Sequence, residues 1–192
     1  MDGLPLTWVS PPMRGILEFS ELHVPRSLAK ERARTPFTFT IDRDFQSVIE
    51  ACARIKRPDQ PGTWITDRML RAYIRFYRLG YAHSVEVWEG EELVGGLYGV
   101  AVDGVYAGES MFHRRPNASK LALLFLIDHL KERGLEWIDI QMLTPHMETL
   151  GAKEIPRKEF LEKLAATRTL GLTLFDPPAR SDSPEEPANN GH

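Results

Sequence analysis

The chain has 192 residues, 42% hydrophobic and 27% charged, with a net charge of −3. That is room for one domain with its own core, in the composition range of globular proteins, with no apolar run near the length of a membrane span and no polycationic character. The opening MDGLPLTWVSPP has neither the basic nor the apolar region of a signal peptide, and the lone Cys52 fits a reducing compartment, so a cytoplasmic monomer is the expectation.

The charge is uneven. Residues 1–80 hold 13 Lys/Arg against 9 Asp/Glu, and the remainder hold 11 against 18. A nucleic-acid partner would therefore meet a local basic face in the first half.

In chain order, Trp8 to Pro12 is extended, because its prolines forbid regular structure. Leu22 to Arg34 predicts a short helix exposing Arg26, Lys30, Arg32 and Arg34. Residues 1–35 read as an extended connector rather than a domain. Phe37 to Ile41 alternates as a strand, and Asp42 or Asp44 can cap a following helix with Val48, Ile49, Cys52, Ala53 and Ile55 on its buried stripe. Cys52 reads as core filler. Arg57 to Gly62 is a loop by its turn residues.

Thr66 caps a helix over 67–79, with Met69, Leu70, Tyr73, Phe76 and Tyr77 as its apolar stripe. Its other face carries Arg68, Arg71, Arg75 and Arg78, the best phosphate-tracking line in the chain. Three strands follow as a meander: 83–89, 93–102 and 104–112. Gly95, Gly96 and Gly99 predict a bulge or a close backbone approach. His83, Ser84 and Glu86 do not form a triad, because alternation puts His83 on the opposite face.

Arg114 and Arg115 lead to Asn117, a candidate cap for a helix over Ser119–Arg133, and this helix N-terminus could attract an anion. Gly134 ends that helix. Leu135–Gln141 alternates, with Trp137, Asp139 and Gln141 on one side. Strand, helix and strand here predict parallel neighbours, which brings Glu109 and Asp139 close together mid-sheet. A carboxylate buried there is costly unless paired or used. A short Thr144-capped helix, an extended 153–156 and a helix over 157–168 complete the fold, with Phe160, Leu161 and Leu164 turned inward. Residues 176–192 read as a disordered tail. No spacing predicts a metal site or a cofactor.

This element order is that of an α+β, acetyltransferase-like (GNAT) fold, a central mixed sheet flanked by helices. The expected division is a connector over 1–35, a catalytic domain over 36–175 and a tail over 176–192.

Several islands go beyond element order: WVSPPMR (8–14), PGTWIT (61–66), LGYAHSVEVW (79–88), ELVGGLYGVAVDGVYAGESMF (92–112), NASKLALL (117–124), WIDIQ (137–141) and LGAKEIPRKEF (150–160). Together they resemble the bacterial leucyl/phenylalanyl-tRNA–protein transferases. The resemblance implies transfer of Leu or Phe, with Met as a further candidate donor, from aminoacyl-tRNA to the α-amino group of a protein beginning with Arg or Lys. The product is thereby marked for degradation. It implies catalytic or relay roles for Asp139 and Gln141, and a donor site of Glu109 with Leu97, Tyr106, Leu126 and Ile138. Trp64 and Tyr73 would stack on the terminal adenosine. Arg68, Arg71, Arg75, Arg114, Arg115 and Asn117 are the tRNA-contact candidates. The chain starts almost at the family's WxSPxPR segment, so a short form lacking most of the usual N-terminal domain is expected. The alternatives are a related aminoacyl-tRNA-dependent transferase with another amine acceptor and an acyl-CoA N-acetyltransferase. The second lacks the glycine-rich pyrophosphate loop it would need.

Overall fold

The computed structural model describes residues 10–55 and 63–176. The expected 57–62 loop and the tail from 177 onward lie outside the described residues. The elements are β1 (Met13–Glu18), α1 (Arg26–Arg32), β2 (Thr38–Ile41), α2 (Phe45–Arg54) and α3 (Asp67–Arg78). Then follow β3 (Ala82–Glu89), β4 (Glu92–Val102), β5 (Val105–His113), α4 (Ala118–Glu132), β6 (Trp137–Gln141), α5 (Pro145–Glu148), β7 (Lys153–Pro156) and α6 (Arg157–Arg168).

The strands form one sheet in the order β2-β3-β4-β5-β6-β1-β7. β3 to β5 are the antiparallel meander that the sequence predicted, and β2 adds to it antiparallel to β3. β5 and β6 run parallel with α4 as the crossover, and β6, β1 and β7 are antiparallel again. This is the expected mixed sheet of an α+β, acetyltransferase-like architecture.

Successive residues of one strand separate two layers. Leu97 joins the core under α4 while Tyr98 joins the core under α2 and α3. Ile138 likewise faces α4, whereas Trp137 faces α6. α4 is buried on most of its circumference, with Leu121, Leu124, Leu126, Ile127 and Leu130 at 0–1% exposure. Each such side chain contributes roughly 1.5–3 kcal/mol, so α4 anchors the fold. On the other face, α2 and α3 cover the β3–β5 half and α6 covers the β6–β1–β7 half.

Local chemistry matches several expectations. Asp44 accepts from the Ser47 N–H, Thr66 from Met69 and Thr144 from Met147. A Cβ on Gly95 would lie 2.6 Å from Ala118 Cβ, so the close approach read from the glycines is real. Cys52 is fully buried.

Three readings are corrected. Residues 1–35 are not merely a connector, because 13–18 form β1 inside the sheet, between β6 and β7. Prolines 11 and 12 end before it, and its buried Gly15-Ile16-Leu17 centre lacks the alternation that betrays a half-exposed strand. Asn117 does not cap α4 through its side chain. It sits left-handed at φ 59 and donates to Glu31 instead. Leu161 points outward at 52% exposure, while Phe160 and Leu164 pack inward. No helix among the described residues is long and apolar enough to cross a membrane.

Candidate active site

The site begins where β5 and β6 part. Their parallel contact has Ala107 opposite Asp139. Two residues further along each strand stand Glu109 and Gln141.

Glu109 owes its position to a β-bulge. Gly108 faces Gly99 and Ser110 faces Tyr98, which leaves Glu109 as the extra residue. A bulge re-aims one side chain and commonly marks a site. Gln141 and Tyr73 are polar neighbours of the Glu109 carboxylate. Burial raises the Glu109 pKa, and the nearby Asp139 charge adds to the rise. The Gln141 and Tyr73 side chains and the Arg14 charge oppose it. Tyr73 is held neutral, first by burial and then by the Glu109 charge.

Asp139 is engaged differently. Arg14 on β1 donates from Nε to Oδ1 at 2.9 Å and from Nη2 to Oδ2 at 2.7 Å. The Gln141 N–H adds a bond to Oδ1 at 2.8 Å. Arg14 is itself seated over the Phe160 ring, 5.2 Å from its centroid. A forked guanidinium and a backbone N–H thus occupy both oxygens of the Asp139 carboxylate. What this contact does is shape the end of β6. Gln141 adopts φ 65, a conformation that a non-glycine residue holds only when its surroundings impose it. The same turn brings Gln141 Nε2 to 3.5 Å from the Gly108 carbonyl, beside the bulge.

Asp139, Gln141, Glu109 and Tyr73 therefore come together. Trp64 joins them through an edge-on contact with Tyr73. Leu97, Tyr106, Leu126 and Ile138 also share one cluster, on the α4 side of the sheet, and are 1–3% exposed. The Tyr106 ring lies against Gly99, and its hydroxyl has no hydrogen-bond partner among the described residues.

The remaining candidates lie elsewhere. Arg115 is taken up by Glu89 and Glu92, and Arg114 bonds the Leu93 carbonyl. Both are engaged by the β3–β4 hairpin and not left free for the anion that the sequence suggested. Arg68, Arg71 and Arg75 are exposed on α3.

Arg14 is the residue at this site that reading element by element missed. It is the last residue of the WVSPPMR island, but only the β1–β6 pairing reveals its partner. Glu86 is a further buried carboxylate. It is satisfied by Ser84, Thr40 and the backbone N–H groups of Arg43 and Asp44, and it braces the turn into α2.

Residues 16–165 match the family model described as leucyl/phenylalanyl-tRNA protein transferase. A protein of that name from Pseudoalteromonas atlantica is 51% identical over 160 residues, 83% of this chain and 68% of the relative. One from Syntrophotalea carbinolica is also 51% identical over 160 residues, 83% of this chain and 70% of the relative. Among solved structures, a functionally unknown conserved protein from Staphylococcus epidermidis is similar with a TM-score of 0.50 at 10% identity. That similarity covers 75% of this chain and 57% of the other, and it concerns the fold alone.

Proposed function

This chain belongs to the leucyl/phenylalanyl-tRNA protein transferase family, and we propose that it carries out that family's aminoacyl transfer. Its donor is an aminoacyl-tRNA charged with Leu or Phe. Its acceptor is the α-amino group of a protein beginning with Arg or Lys, and the new N-terminus marks that protein for degradation.

The reaction is aminolysis of an ester. The acceptor nitrogen forms a bond to the carbonyl carbon, the bond to the ribose oxygen breaks, and the amine's proton must leave. An α-amine titrates at about 7.7–8.0, so a fair fraction is already neutral near pH 7. Positioning and stabilisation of the tetrahedral intermediate carry most of the load.

The observation that carries the reading is the division of labour between two carboxylates. Asp139 is occupied by Arg14 and holds Gln141 in its left-handed turn. Glu109 stays in reach of a substrate, with burial making its carboxylate more basic than usual. Glu109 is then the proton acceptor, passing the proton on to the leaving ribose oxygen. The Gln141 amide orients Glu109 and can donate to the oxyanion. Leu97, Leu126 and Ile138 are the apolar residues assigned to the donor side chain, with Tyr106 in the same cluster.

The deciding experiment is transfer of labelled leucine from Leu-tRNA to a peptide beginning with Arg, beside the same peptide beginning with Ala. Labelling of the Arg peptide alone is expected. Labelling of neither, with tRNA bound, would sink the acceptor assignment and favour another amine. Equal labelling of both would remove the N-terminal selectivity.

A further inference from the structure

The chain beyond α6 is held at several points. Phe160 and Leu164 place α6 on one face of the sheet, yet Leu174 and Phe175 are buried in the core under α4 on the other. Residues 169–176 therefore pass the end of the sheet as a strap. Leu172 packs on the turn between β4 and β5, where Gly104 leaves room for it: a Cβ there would lie 3.1 Å from Leu172. The Leu174 carbonyl accepts from His129 Nε2 at 2.8 Å, and Asp176 accepts from both terminal nitrogens of Arg133 at 3.1 Å. Both donors sit at the C-terminal end of α4.

Between these two anchors, Phe175 is enclosed by three rings. It stacks on His83 at a centroid separation of 3.9 Å and an interplanar angle of 8°. Tyr106 and His129 lie against it at 5.8 and 5.2 Å. His83 is fixed in turn, with Nδ1 2.7 Å from Asp42 Oδ2 and Nε2 3.2 Å from the Gly80 carbonyl. The reaction proposed above does not use this buried histidine, and its visible work is to hold the ring on which Phe175 rests.

Tyr106 is the ring that this arrangement acts on. It is 1% exposed, and its hydroxyl has no hydrogen-bond partner among the described residues. No hydrogen bond sets the position of the ring, so packing must. Gly99 is one of its contacts, since even a Cβ there would come within 2.4 Å of the ring, and Phe175 is another. Tyr106 and Phe175 share one cluster with Leu97, Leu126 and Ile138, the residues assigned to the donor side chain.

We propose that Phe175 is a positioning residue for donor selection: it backs Tyr106 and so sets how large a side chain the donor site takes. The proposal rests on the donor assignment above and extends it to a residue beyond the last helix. Phe175 touches no substrate and acts through Tyr106. Shortening Phe175 lets Tyr106 settle back into the space released, which admits the bulkier Phe at the expense of Leu. A strap that merely holds the fold together would behave differently, because general loosening lowers transfer from both donors alike.

The test is competition between Phe-tRNA and Leu-tRNA, read as the ratio of their kcat/KM values with a peptide beginning with Arg. Phe175→Leu should raise the ratio of Phe to Leu by roughly tenfold, the effect of one or two methylene equivalents in an apolar site. The KM for the peptide should stay at its wild-type value. Tyr106→Leu should raise the ratio as well. The variant carrying both should match Tyr106→Leu alone, because a residue that acts through Tyr106 then has nothing left to act on. Should Phe175→Leu fail to fold, Phe175→Met stays closer in volume and is read in the same way. A wild-type ratio at the Phe175 variant beside a shifted ratio in Tyr106→Leu would overturn the proposal and leave the donor assignment standing. So would an equal fall for both donors at the Phe175 variant. Wild-type ratios in both variants would overturn the donor assignment of Tyr106, and the proposal with it. Additive shifts in the double variant would overturn the route through Tyr106. No transfer by the wild type would remove the reaction and the proposal together.

Discussion

Arg14 and Asp139 are 125 residues apart in sequence and face each other across the β1–β6 pair as a forked ion pair, with bonds of 2.9 and 2.7 Å. The Asp139 side chain is 6% exposed and that of Arg14 is 26%. Removing one partner strands a desolvated charge, whereas removing both does not.

Arg14→Met is therefore expected to cost about 3 kcal/mol of stability. The double variant Arg14→Met, Asp139→Leu should recover much of it while remaining inactive, since Gln141 loses the acceptor that fixes its turn. Arg14→Lys should fail too, because an ammonium cannot fork. A thermal double-mutant cycle with activity measured alongside checks this. Wild-type turnover in the double variant would free Gln141 from any dependence on Asp139.

Glu109 gives a pH signature. It must be ionised to accept a proton, and its raised pKa moves the acid limb of kcat/KM above the ordinary carboxylate range. The Tyr73 hydroxyl lowers that pKa, so Tyr73→Phe should push the limb to still higher pH. Glu109→Gln should lower turnover by about 10²–10⁴. An acid limb that ignores Tyr73→Phe would assign it to another group.

The same shift has a stability consequence of opposite sense. The folded pKa of Glu109 lies above the unfolded one, so between the two the folded state holds more protons and stability falls as pH rises. The penalty is complete above the folded pKa and absent well below the unfolded one. Glu109→Gln should consequently stabilise the protein at neutral pH and not in acid, even as it disables catalysis. Denaturant titrations at the two pH values test it, and a gain of equal size in both would mean the ionised carboxylate is not the source.

How far the sequence led can be seen at particular residues. The meander, α4 and the parallel β5–β6 contact were legible because alternation and helical period act locally. β1 was not, because a strand buried between two neighbours carries no alternation and two prolines precede it. The bulge at Glu109 was half legible: the β4 glycines announced an irregularity, but only the register with Gly99 and Tyr98 says which residue is extra. The φ of 65 at Gln141 had no signal, since nothing in Ile-Gln-Met calls for a left-handed residue. Asn117 misled because its best partner, Glu31, comes from the distant α1.

The apolar donor residues make a prediction about donor choice. Leu126 is 1% exposed under α4, and truncation to Ala should cost about 2–5 kcal/mol while opening space on the α4 side of the sheet. That space should favour the bulkier Phe over Leu, by roughly tenfold at one or two methylene equivalents. Competition between Phe-tRNA and Leu-tRNA reads the ratio directly. A ratio equal to wild type would remove Leu126 from the donor site and leave it a core residue.

Gly99 ties packing to the bulge itself. A Cβ there would stand 2.4 Å from the Ala107 carbonyl oxygen and 2.4 Å from the Tyr106 ring and hydroxyl. A flexible side chain could yield, but a strand carbonyl cannot, so β4 and β5 would have to separate. Gly99 is paired with Gly108, the residue before Glu109, so the displacement falls on the carboxylate proposed to accept the proton. Gly99→Ala should therefore lose about 1–3 kcal/mol of stability and also lose turnover when assayed well below its melting temperature. Gly95→Ala provides the comparison: its Cβ would press on Ala118 at the start of α4, away from the bulge, so it should cost stability with less effect on turnover. Equal loss of turnover in both variants would mean that general loosening of the sheet, and not the position of the bulge, limits the reaction.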